Sequence, residues 1–394
     1  MGQDALRIAM FSDSALPVLN GVSVSIDALV RELRQAGHSV HIFTAAHFGY
    51  KDPDPNTYRF PAIETPWTKG YPLAFPPFYP LLQHFRRNRF DVVHTHTPWT
   101  IGFVGLRWAQ SEGVPVVSTY HTHYDKYTHY IPFVPKRYLR YKIAKHTNYY
   151  YNAVDHVITP SEASAKWLGR HSVRTPVTVI PTGNLPRQML DRAELRLQHK
   201  VPVDARILLY VGRLAEEKNM GVLFEAAAQA LAQDHRAVFW LVGDGPYREE
   251  CAEMARALGI GDRVRFVGFV DRHQVDAYYE LADIFIFASM TETQGLVIQE
   301  AMSYGLPSVV VQGGGASSAI ENGVNGIIVG NDATQLSNAV VSLLEDEGYY
   351  SAISKEASRS ARTYSTRDMT EDVLTVYDQA IHGVKRRSRD TQPA

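Results

Sequence analysis

The sequence predicts an α/β chain of two consecutive doubly wound domains. Three observations point there. Short apolar runs alternate with longer amphipathic segments, the rhythm restarts after residue 204, and 394 residues exceed one ordinary core.

Residues 6–11 read as a strand, 22–36 as a helix stopped at Gly37, and 40–44 as a second strand. Strand 91–94, helix 101–112 and strand 114–120 continue the pattern, with further strands at 156–159 and 177–180. These make a first domain over 1–183. The second, over 205–364, has strands at 207–211, 239–242, 264–267, 284–287, 308–311 and 327–329, with helices at 220–232 and 247–258. Residues 184–204 hold Pro186 and Pro202 and no apolar period, so they read as a linker. Ser365 and Asp368 have capping spacing and open a last helix over 365–382, expected to pack back on the first domain. The tail 385–394 is basic and polar and is expected to fray.

Forty basic residues face 41 acidic ones, which gives no global attraction to nucleic acid. The single cysteine, Cys251, excludes an internal disulfide and favours a reducing compartment, so the expected location is cytoplasmic. The first apolar run is too short for a signal peptide, and no stretch nears the ~20 apolar residues of a spanning helix. Any membrane contact is therefore expected to be peripheral.

Two segments could carry chemistry. Thr291-Glu292-Thr293-Gln294-Gly295-Leu296-Val297 follows a strand and opens a helix, where free amides and a glycine suit a phosphate. Glu292 can accept from a sugar and Glu300 from a ribose. Alone, the segment also fits a capped helix with two surface acids. Gly212-Arg213 and Lys218 likewise follow a strand, and two fixed cations there could replace a metal at a departing diphosphate. Alone, they also fit a solvated basic loop. Gly243-Asp244-Gly245 lacks the third glycine of a dinucleotide fingerprint, Asp52 and Asp54 lie in a proline-rich loop, and no Cys/His cluster has zinc spacing. His94/His96 and His121/His123 read as strand-end pairs lining the cleft. No metal site is expected.

Together the segments resemble the family-four retaining glycosyltransferases. Glu292 and Glu300 have the family's Glu-x7-Glu spacing, and Arg213 and Lys218 its Arg and Lys spacing. Asn20-Gly21-Val22 matches the family's glycine loop, and His121 its histidine beside the donor sugar. The resemblance covers nearly the whole chain. It implies a GT-B fold, two Rossmann-like domains facing a central cleft, and retaining, metal-independent hexose transfer without a cofactor. His121, Arg213, Lys218 and Glu292 are the implied catalytic residues. Gly21, Arg213, Lys218, Val270, Glu292, Gly295, Leu296, Val297 and Glu300 are the implied donor contacts. The sequence departs from the family at Gln294, often Phe, and at Ser317-Ser318, often Pro-Glu, which touches donor-sugar detail.

Between 126 and 154 the only charged residues are basic, interleaved with tyrosines and Phe133. In helical register Lys136, Arg137, Arg140, Tyr141, Lys142 and Lys145 form a basic, aromatic surface suited to an anionic membrane, where each cation contributes ~1 kcal/mol. A solvated helix with inward tyrosines is the other reading. The run 119–131, ending Tyr130-Ile131, with 291–295, resembles bacterial diacylglycerol glucosyltransferases, which use UDP-glucose at the inner face of the cell membrane. The expected partners are thus a nucleotide sugar and a lipid acceptor, not nucleic acid. A soluble acceptor, a nucleotide-sugar epimerase and a non-catalytic nucleotide-sugar binder are the rivals.

Overall fold

Parallel strands covered on both faces need near-continuous apolar runs, and the chain supplies them in two series. In the computed structural model residues 5–64, 72–75, 78–130, 134–185 and 187–390 are described, the side chains of 128–130 and 385–390 excepted. Ile131, Phe133, Pro186 and the last four residues of the tail lie outside them.

The first series is β1 (Arg7–Phe11), α1 (Gly21–Gln35), β2 (Ser39–Ala45), β3 (Thr57–Phe60), β4 (Ala62–Ile63), β5 (Leu73–Ala74), α2 (Tyr79–Asn88), β6 (Val92–Thr95), α3 (Thr100–Glu112), β7 (Val116–Thr119), α4 (Lys136–Tyr151), β8 (His156–Thr159), α5 (Glu162–Arg170) and β9 (Val177–Val179). Its main sheet is parallel, in the order β3-β2-β1-β6-β7-β8-β9. Phe11 stacks on Phe43 at 4.5 Å between neighbouring strands, and Trp108 of α3 meets both rings edge-on. Burying such rings is the main apolar contribution to this core.

The second series is α6 (Arg192–Gln198), β10 (Arg206–Val211), α7 (Met220–Gln233), β11 (Ala237–Val242), α8 (Arg248–Ala257), β12 (Val264–Gly268), α9 (Val275–Leu281), β13 (Ile284–Phe287), α10 (Leu296–Ser303), β14 (Ser308–Val311), β15 (Ile327–Val329), α11 (Ala333–Glu345) and α12 (Glu347–Ser360). Its sheet is parallel, in the order β12-β11-β10-β13-β14-β15.

The chain divides into two units, 1–183 with 366–394, and 184–365. The last helix, α13 (Thr366–Asp390), belongs to the first. Thr366 donates to Glu32 of α1 at 2.8 Å, and Tyr377 is fully buried. Helix therefore runs through most of the tail that was expected to fray. The segment expected as a linker is also more ordered than its sequence suggested. Asp191 caps α6 through the Ala193 and Glu194 amides, and Arg192 reaches Asp283 at 2.9 Å, tying this stretch into the second unit.

Candidate active site

In the second unit the strand order reverses between β10 and β13. The loops leaving their carboxyl ends therefore flank the crevice where open α/β sheets take ligands. The loop after β10 carries Arg213 and Lys218, and the loop after β13 carries Glu292. Lys218 Nζ forms an ion pair with Glu292 Oε1, both side chains largely shielded. Ser289 donates to the same carboxylate at 3.2 Å, and Asn219 donates to the Ala288 carbonyl at 3.2 Å. The two loops are thus stitched together before any ligand arrives. Arg213 stands on the first loop, its carbonyl accepting from the Tyr210 hydroxyl at 3.0 Å.

The second loop ends at Gly295, whose φ of 76° lies in the left-handed region that a side chain disfavours. This turn starts α10 with Leu296 and Val297 in its first turn, both half-buried. A third loop, after β14, closes against the second. The Gly315 amide donates to the Glu292 carbonyl at 2.6 Å, and a Cβ on Gly315 would stand 1.7 Å from the Thr293 carbonyl oxygen. Gln294, where the family often has Phe, is buried and donates to Gln299 at 2.7 Å.

Glu300, expected to meet a ribose, is engaged within the protein. Its Oε1 pairs with Arg272 at 3.0 Å, and its Oε2 accepts from the Tyr279 hydroxyl at 2.8 Å. Burial raises its pKa, and the Arg272 charge opposes that rise. Each oxygen keeps a second lone pair for a ligand. The sequence reading missed Arg272, since nothing in the motif marks a residue just past β12. Val270, beside it, packs on the core.

In the first unit the order reverses between β1 and β6. Gly21 opens α1 after β1, but the cap here is Asn20. Its Oδ1 accepts from the Val22 and Ser23 amides at 2.9 and 3.0 Å. Those two amides are therefore engaged by the cap in this loop, which the family resemblance places near the diphosphate. Asp13, unmarked by the sequence reading, is half-buried with a pKa raised by desolvation and caps α3 through the Ile101 amide at 3.0 Å.

The histidines divide. His96 Nδ1 and His121 Nε2 are 3.0 Å apart at the ends of β6 and β7. Burial lowers the His121 pKa to about 4, so it is neutral near pH 7. His94 instead bridges Thr119 and the Tyr377 hydroxyl, both at 2.7 Å, and His123 bonds Tyr120 and Ser164. Both belong to interior networks, which corrects the expectation that all four line a cleft. Among the described residues no group of three or more His, Cys, Asp or Glu is placed to hold a metal.

α4 splits lengthwise. Lys136, Arg137, Arg140, Tyr141, Lys142 and Lys145 are all exposed. Its tether lies at the other end. The His146 Nε2 donates to the Pro98 carbonyl at 2.6 Å, and the buried Tyr150 hydroxyl donates to Thr95 at 2.8 Å. Some tyrosines do pack inward, while Tyr138, Tyr141 and Tyr149 stay out.

Comparison with known proteins fits this arrangement. The model of glycosyltransferase family 4 matches residues 19–184, and that of glycosyl transferases group 1 matches 191–360. An alpha-monoglucosyldiacylglycerol synthase of Acholeplasma laidlawii is 30% identical over 94% of this chain and 96% of its own length. One from Streptococcus pneumoniae is 32% identical over 77% of this chain and 70% of its own. The chain is a family-four glycosyltransferase. Its fold is GT-B, as in the Anabaena protein HepE solved with UDP and glucose. That structure has a TM-score of 0.76 at 21% identity, covering 95% of this chain and all of the other. Within this family, Lys218 and Glu292 form the joined pair, Arg213 shares the loop with Lys218, and His121 stands with His96 in the other unit.

Proposed function

We propose that this glycosyltransferase moves glucose from UDP-glucose to a lipid hydroxyl, such as that of diacylglycerol, at an anionic membrane surface. The observation that carries the acceptor reading is the outward face of α4, where five cations and Tyr138 and Tyr141 stand in solvent on a helix whose far end is tied down by His146 and Tyr150. Cations draw such a face to anionic lipid, and tyrosines sit well at headgroup level. The same unit also exposes Ile63, Leu73, Phe75, Phe78 and Tyr79. No helix among the described residues is long and apolar enough to cross a membrane, which suits peripheral contact. Two relatives named as glucosyldiacylglycerol synthases support the same acceptor.

The proposed reaction retains configuration and needs no metal. Arg213 and Lys218, with amides at the start of α10, stabilise the diphosphate as the anomeric carbon–oxygen bond breaks. The lipid hydroxyl attacks the oxocarbenium-like carbon from the same face, and its proton passes to a phosphate oxygen of the leaving UDP. Glu292 and His121 orient the sugar, and Glu300 holds the ribose. The test is incubation with a panel of nucleotide sugars in chelator, with and without vesicles of diacylglycerol and anionic lipid. The expected product is an α-glucosyl lipid formed from UDP-glucose. Transfer only to a soluble polyol, or only with added divalent metal, refutes the corresponding half.

A further inference from the structure

The geometry points to His96 as a positioning residue that fixes His121 in its Nδ1–H tautomer. His96 lies at the end of β6, is 2% exposed, and stands with its Nδ1 3.0 Å from His121 Nε2. Two imidazole nitrogens at that distance share one proton, since two N–H groups or two lone pairs would repel. Burial lowers both pKa values below neutrality, so each ring carries a single proton.

That leaves two arrangements. If His121 donates from Nε2, the proton of His96 must sit on its own Nε2. That atom is buried and has no partner among the described residues. A buried N–H with no acceptor is among the rarest defects of folded proteins, whereas an unused lone pair is better tolerated. If His96 donates from Nδ1, its Nε2 is merely an unused acceptor. The second arrangement therefore prevails, and the proton of His121 sits on Nδ1.

The ring of His96 has little freedom to choose otherwise. His94 packs against it with centroids 4.0 Å apart, and His94 is itself held by Thr119 and Tyr377. Those partners are hydroxyls, which donate or accept, so they impose no tautomer on His94. The constraint begins at His96.

Resting on the transferase reading above, the consequence concerns chemistry. With Nε2 accepting from His96 and Nδ1 protonated, His121 has no bare nitrogen for the acceptor's proton. Its Nδ1 carries a proton rather than a lone pair, and the proton of the attacking hydroxyl must leave by another route, as on a phosphate oxygen.

Long-range proton–nitrogen spectra of ligand-free protein labelled with 15N-histidine test this, the rings being assigned from His96→Asn and His121→Asn. The expected result is a proton on Nδ1 of both residues. A proton on Nε2 of His121 overturns the proposal. In transfer assays His96→Leu should lower kcat on the order of ten- to a hundredfold, with donor KM little changed. His96→Asn, whose amide donates from about the place of Nδ1, should recover most of that. Equal loss in both variants, each folded, overturns it as well. If His96→Leu does not fold, the parent spectrum still decides. An absence of transfer by the parent protein would count against the proposed reaction alone, because the spectrum is read without turnover.

Discussion

Lys218 and Glu292 lie 74 residues apart in sequence, yet they form an ion pair across the point where the second sheet reverses its strand order. The cation is thereby held in place, partly neutralised, where a diphosphate would compete for it. Truncating Lys218 or Arg213 to Ala should lower kcat by roughly a hundred- to a thousandfold, with a smaller change in donor KM. Steady-state kinetics on both variants check this, and unchanged turnover would remove them from the mechanism.

Gly315 permits the closest backbone approach around that pair. Because a Cβ would meet the Thr293 carbonyl oxygen at 1.7 Å, Gly315→Ala must push apart the loops after β13 and β14. The expected outcome is a loss of about 2 kcal/mol or more of stability, together with weakened nucleotide binding. Urea unfolding and titration with UDP measure the two effects.

Arg272 and Glu300 give a prediction in pH. Glu300 has its folded pKa raised, chiefly by burial, so the fold disfavours its charge and the related stability falls as pH rises through that range. Removing the opposing charge in Arg272→Met raises the pKa further. The variant should therefore be most destabilised relative to the parent at about pH 8, with the difference shrinking toward about pH 5. Thermal unfolding of both proteins across that range reads the sign, and a difference that grows on acidification would contradict it.

The outward face of α4 predicts a separable defect. Replacing Arg137, Arg140, Lys142 and Lys145 together by Glu should lower partitioning onto anionic vesicles at least roughly tenfold, and added salt should weaken parent binding. All four are exposed, so the unfolding transition should hardly move. Vesicle co-sedimentation beside thermal melts separates the two. Undiminished binding would place the membrane contact elsewhere.

The parallel strands were legible because a strand covered on both faces has little choice but a continuous apolar run, as in Ile284–Phe287 and Ser308–Val311. The edge strand Thr57–Phe60 was missed, since its residues are mostly half-buried and polar in part. α6 escaped for a related reason: seven residues without a buried face show no period, although Asp191 offered a capping signal. Within the site, spacing found Lys218 and Glu292 because each sits at a fixed offset from its strand. Arg272 could not be found that way, as its partnership arises only when the end of β12 comes alongside α10. The histidines show the same limit. Four looked alike in sequence, and only their partners in the fold sorted His121, beside His96, from His94 and His123.

The return of α13 to the first unit has a consequence for biosynthesis. His94 receives one of its two partners from Tyr377, and Glu32 receives Thr366. A ribosome must therefore make the whole intervening unit, roughly ten to forty seconds of elongation, before the earlier one can close. The half begun first is finished last, and a growing chain carries it incomplete throughout that interval.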